Sequence, residues 1–172
     1  MKHTTILFKK IKIAFLFAIL LDASLSAQTT VIIGANNGAN GVNTYPCPLQ
    51  DASMSTRAQY LYTAAEMSAA GYLNGSIITQ IGWVTNATTI ATHLSENYTI
   101  SVKNSAISTL STTAWETGMT AIYGPTNYSY PSGTAGNIIF NTTNFVYTGG
   151  SLVVEVCGGI GTGIASSNPS CQ

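Results

Sequence analysis

Side chains able to do acid–base or nucleophilic work are few in this chain of 172 residues. Beyond residue 27 they are His93, the thiols of Cys47, Cys157 and Cys171, and the carboxylates of Asp51, Glu66, Glu96, Glu116 and Glu155. A lone histidine acts as base for a serine or cysteine nucleophile only where the fold joins them. The sequence has no Gly-x-Ser-x-Gly elbow, and no motif ties Cys47 to His93. His93 stands among threonines and reads as a residue of an exposed connecting loop. Glycoside hydrolysis needs two carboxyl groups converging within about 5–9 Å. The five acids are scattered along the chain. Glu155, inside an apolar run, can meet another of them across a sheet, which spacing alone does not establish. Glycine-rich stretches follow Val31-Ile32-Ile33 and Leu152-Val153-Val154-Glu155-Val156. The first lacks the Lys-Ser/Thr of a phosphate loop, and the second runs into Ser166-Ser167-Asn168-Pro169, which does not open a helix. Both read as loops, so the expectation is a protein that is not an enzyme and has no catalytic residues.

The cysteines offer a different chemistry. Cys157 and Cys171 would close a short loop, and a disulfide there would contribute about 3 kcal/mol. That pairing is expected, with Cys47 as the odd thiol and a Cys47–Cys157 bridge as its competitor. The Cys-x13-Cys spacing with no histidine nearby does not match a zinc site, so neither metal nor cofactor is expected. Aromatic side chains are more plentiful, with nine tyrosines and two tryptophans. Trp83, in an alternating apolar stretch, belongs in a core. Trp115, Tyr123, Tyr128 and Tyr130 are the candidate binding residues, since an exposed row of such rings suits stacking on sugars or a protein patch. For Trp115 and Tyr128 the alternative, that they fill a core or its edge, stays open.

These side chains must be held by elements that the rest of the sequence suggests. Lys2, Lys9, Lys10 and Lys12 precede the apolar run 13–21, and small residues lead to Ala27. Nine apolar residues are too few to span a bilayer, which takes about 20. Residues 1–27 therefore read as a secretory signal peptide cut before Gln28. No second long apolar run follows, so no stable membrane anchor is expected in the mature chain, which would be secreted or at the cell surface. Only 7% of the chain is charged, against roughly a quarter in an average soluble domain. The polar surface must come from 24 Thr, 17 Ser and 13 Asn. With only Arg57 and Lys103 as bases beyond residue 27, there is no basic footprint for nucleic acid.

Alternation over residues 57–62, 77–84 and 98–103 predicts strands with one face on a core, and 29–33, 119–123, 136–140, 144–147 and 151–157 are further candidates. Thr63 and Glu66 have capping-box spacing and Gly71 stands at a helix stop, which predicts about two turns of helix between them. Many short strands with one short helix argue for an all-β, antiparallel, jelly-roll-like sandwich over residues 28–157. The Gly/Ser-rich residues 158–172 read as a flexible tail.

Several segments are familiar together: Tyr45-Pro46, then Arg57-Ala58-Gln59-Tyr60-Leu61-Tyr62 running into Ala64-Ala65-Glu66-Met67 and Gly71, then Trp115-Glu116-Thr117-Gly118 and Leu152-Val153-Val154-Glu155-Val156-Cys157. Residues 42–157 resemble a β-sandwich module of large secreted and cell-surface proteins of Bacteroidetes-type bacteria, which often carry a type IX secretion sorting domain. The resemblance implies adhesion or another surface interaction and brings no catalytic residues. Such proteins usually continue with further strands and domains, so a copy incomplete at its C-terminus is expected. The functional expectation is an exported, non-catalytic module that contacts a surface polymer, glycan or partner protein. A carbohydrate-binding module and the remnant of a secreted hydrolase are the alternatives.

Overall fold

A computed structural model of the chain describes residues 29–33, 48, 55–85, 93–130 and 136–160. The chain divides into two units between residues 31 and 32, and every described strand and helix belongs to the second, Ile32–Gln172. Its described elements run β1 (Ser55–Tyr62), α1 (Ala64–Ala69), β2 (Ile77–Thr85), β3 (His93–Ser105), β4 (Thr120–Tyr130), β5 (Gly136–Val146) and β6 (Ser151–Ile160). Every strand pair is antiparallel. The strands form a four-stranded sheet of order β1-β6-β3-β4 and a two-stranded sheet of order β2-β5. This is the all-β, two-sheet sandwich that the alternation predicts.

Period two decides which side chains meet between the sheets. Ala58, Tyr60 and Tyr62 of β1 share a face with the β6 residues opposite them, Val156, Val154 and Leu152. Ile100, Val102 and Ile122 extend that face, and Ile78, Trp83 and Phe140 meet it from the two-stranded sheet. The ring of Phe140 is the hub. It stacks on Tyr98 at 5.4 Å and meets Tyr128 at 4.8 Å, Tyr123 at 4.9 Å and Trp83 at 5.9 Å. The Tyr98 hydroxyl donates to the carbonyl of Pro48 at 3.1 Å, which satisfies a polar atom in that apolar setting. Burial pushes the Tyr62 phenol up, an effect opposed by its hydrogen bond with Trp83, which also ties β1 to β2.

Helix α1 is short and depends on its ends. The Thr63 hydroxyl accepts from Glu66 N at 3.3 Å, and the Glu66 carboxylate accepts from Thr63 N at 2.7 Å, a complete capping box. Gly71 follows at φ 87°, a conformation that costs glycine little. Met67, with no exposed surface, is the helix's anchor in the core.

The fold corrects several expectations. Residues 29–33 are not a strand, although Ile33 packs against the core. Residues 136–140 and 144–147, read as two strands, form one, β5, because Asn141 to Thr143 continue the extended backbone. Gly124-Pro125, read as punctuation, lies inside β4, joined by a cis peptide bond. His93, placed in a loop, opens β3; its side chain lies outside the described residues. Residues 158–160, assigned to the tail, complete β6, and the rest of that tail lies outside the described residues.

Candidate binding surface

The outer face of the four-stranded sheet holds most of the unit's charge. Register sets out three rows across β1, β6 and β3: Arg57–Cys157–Thr99, Gln59–Glu155–Ser101 and Leu61–Val153–Lys103. Both bases found beyond residue 27 therefore stand on one face with Glu155. The connection between β3 and β4, residues 106–119, brings Trp115 and Glu116 to the same face. Val153, fully buried yet outside the inner cluster, points to the side this connection covers.

Glu155 is the centre of the arrangement, with a side chain only 10% exposed. Its Oε2 accepts from Arg57 Nε at 2.8 Å and from Gln59 Nε2 at 2.6 Å, and Arg57 Nη2 lies 2.7 Å away. The Gln59 amide then clamps the backbone of Glu116, donating to its carbonyl at 2.8 Å and accepting from its N–H at 3.0 Å. Lys103 Nζ completes the hold, donating to Glu116 Oε2 at 2.9 Å. Each carboxylate here has a cation of its own. A buried charge is costly unless it is paired and hydrogen-bonded, and this network meets that condition.

The consequence falls on Trp115. With Glu116 fixed through both main-chain groups and its side chain, the preceding ring stays over the sheet, and the Arg57 guanidinium sits 4.7 Å from its centroid. Trp115 remains 51% exposed. A large ring held in place with half its surface in water is suited to contact, because little side-chain freedom is left to lose on binding.

The other candidate rings are elsewhere. Tyr123 and Tyr128 pack into the Phe140 cluster between the sheets, so they do not join Trp115 in an exposed row. Five residues apart, they would alternate to opposite faces in a regular strand. Register shifts between β3 and β4 turn both inward. Tyr130 ends β4, and its side chain lies outside the described residues. Trp83, 8% exposed, is in the core as expected.

Cys157 carries a free, half-buried thiol beside this network, while Cys47 and Cys171 lie outside the described residues. Burial pushes the thiol up, and the charge of Glu155 and a hydrogen bond with it push the same way against the pull of Arg57. At neutral pH it is held as the thiol, the less nucleophilic form. Among the described residues no three His, Cys, Asp or Glu side chains gather where they could hold a metal ion.

Sequence reasoning singled out Trp115 but missed Arg57, Gln59 and Lys103 as its support. Their signal was faint: Arg57 and Gln59 alternate with Ala58, Tyr60 and Tyr62, which puts them on the face away from the core. What they meet there depends on β1 pairing with β6, which no local pattern specifies. Comparison of the chain with protein-family models, with curated proteins and with solved structures returns no match.

Proposed function

We propose that the region beyond residue 27 is an exported, non-catalytic adhesion or surface-interaction module that contacts a surface polymer, glycan or partner protein through Trp115. The observation that carries this reading is the exposed Trp115 ring, braced by Arg57 and by the clamp on Glu116. The carboxylates beneath it are engaged by Arg57, Gln59 and Lys103, a use of charge that serves architecture. The leader-like residues 1–27 support export, and an oxidising destination would favour the Cys157–Cys171 bond. The resemblance to Bacteroidetes-type surface modules points the same way. Because Tyr123 and Tyr128 face inward, contact through a single ring fits an adhesive patch better than a multi-ring platform for a flat polysaccharide.

The test compares the exported protein with Trp115→Ala for retention on cellulose, chitin and collagen-coated surfaces. Loss of a central aromatic contact should reduce retention on the surface that binds by roughly tenfold, with an unchanged thermal melt. Equal retention by a folded variant would move the contact away from Trp115. Turnover of any of these polymers that disappears in Glu155→Gln would overturn the non-catalytic reading.

A further inference from the structure

Taking Trp115 as the contact, as proposed above, we infer that it receives a single neutral sugar ring, the exposed end of an uncharged glycan, with a C–H face of the pyranose laid on the open face of the indole. The ring is 51% exposed, and the whole connection that carries it, residues 106–119, is described. Ser111 Oγ accepts from the N–H groups of Thr113 and Ala114, both at 3.1 Å, so the chain entering Trp115 is held as well as the chain leaving it. What may bind there is set by the charges and side chains around it.

A cation is the partner that an indole face attracts most strongly. Here the Arg57 guanidinium already lies over the ring, 4.7 Å from its centroid, and would repel a second cation on the opposite face. Arg57 is not free to leave, because Nε and Nη2 both reach Glu155 Oε2, at 2.8 and 2.7 Å. An anion fares no better. Arg57 is paired with Glu155 and Lys103 with Glu116, so neither base is left to draw one in, and beyond residue 27 the chain has two bases against five acids. The ligand is therefore neutral where it meets the ring.

Its surroundings favour a sugar over an apolar protein side chain. An aromatic hot spot in a protein interface is surrounded by further contacts that keep water out. The exposed large aliphatic residues Leu73, Ile77, Ile139 and Val146 belong to the α1–β2 connection and the two-stranded sheet, not to the connection that carries Trp115. That connection instead exposes Ser108, Thr109, Ser111, Thr112, Thr113 and Thr117, whose hydroxyls both donate and accept. A pyranose divides its surface in the same way, with C–H groups on its flat faces and hydroxyls around its rim. The extent is one unit, because Tyr123 and Tyr128 are turned into the Phe140 cluster and offer no second stacking position.

The experiment measures retention of the exported protein on beads carrying single glucose units, beside beads carrying glucosamine and beads carrying glucuronate. At mildly acidic pH the second is an ammonium and the third a carboxylate, while all three share one ring shape. The glucose beads should retain the protein roughly tenfold better than either charged set, a comparison made on the unaltered chain that depends on no variant folding. Trp115→Ala, with an unchanged thermal melt, should lose that retention. Equal retention on all three beads, or a preference for a charged sugar, would overturn the neutral-sugar assignment. So would no retention on any of them; Trp115-dependent retention on collagen would then keep the contact reading and make the partner a protein. A glucose preference that persists in folded Trp115→Ala would overturn both.

Discussion

Replacing Arg57 by methionine removes the cation facing Glu155 and the guanidinium beside Trp115, and strands a carboxylate whose side chain is 10% exposed. We expect urea unfolding to show a loss of about 2–4 kcal/mol, because an unpaired buried charge costs more than the pair contributes. Glu155→Gln keeps the shape of the side chain and leaves Arg57, 42% exposed, in reach of water. That variant should lose only about 1 kcal/mol. Equal losses would mean that the two partners are equally buried, against the geometry. The neighbouring thiol gives a pH-dependent measure. Its folded value lies above the ordinary 9.0, so its contribution to stability is complete below pH 9 and is lost as the pH rises through the folded value. In reduced protein, iodoacetamide at mildly alkaline pH should modify the Cys157 peptide more slowly when the chain is folded than in urea, as read by mass spectrometry. Equal rates would remove burial and Glu155 as the cause.

At the scale of elements, α1 divides its dependence between a cap and an anchor. Thr63→Ala should cost about 1 kcal/mol through the lost capping box, whereas Met67→Ala should cost about 2–5 kcal/mol through the cavity left in the core. The cap also responds to pH. Glu66 is held below its ordinary 4.5 by its hydrogen bonds with Thr63, so its support is present above that value and fades as the pH falls through the depressed one. Thermal melts at pH 7 and pH 3 should therefore differ less for Glu66→Gln than for the unaltered protein. This helix was fully legible in the sequence, because a capping box and a terminal glycine are local chemistry. The strands were legible wherever apolar and polar residues alternate strictly, as in β1 and the middle of β3; in β2 the strand was legible but not its faces, because an irregularity between Ile78 and Gln80 buries Ile78 and leaves Ile77 exposed. Legibility failed where the period breaks. Gly124 has φ 76°, and a Cβ there would come within 2.1 Å of the Tyr98 carbonyl oxygen, so this glycine lets β4 press against β3 where a local reading saw a turn. The same irregularity turned Tyr123 and Tyr128 inward. The support beneath Trp115 was hidden for a different reason, since it is assembled by pairing between β1 and β6, which stand at opposite ends of the described sheet-forming chain.

The whole molecule has little electrostatic reach. Beyond residue 27 it has two bases and five acids, a net charge of −3, and both bases are committed to Glu155 and Glu116. Retention on an adhesive surface should therefore change by no more than about twofold between low and roughly half-molar salt. A steep loss would place a charged contact in the interface. The sheet order has a consequence in time as well. Strand β6 lies between β1 and β3, and among the described strands it is the one that β1 pairs with, Ser55 opposite Gly159 and Tyr62 opposite Leu152. A ribosome working at roughly 5–20 residues per second finishes β1 several seconds before β6 exists. Through that interval β1 lacks the strand it pairs with in the described sheet, and Arg57 and Gln59 wait for the carboxylate they will hold. Contacts of such long sequence separation also form slowly once the chain is complete. Of the two interior strands of the larger sheet, one is thus the last of the described strands to be made, and until it arrives that sheet cannot close.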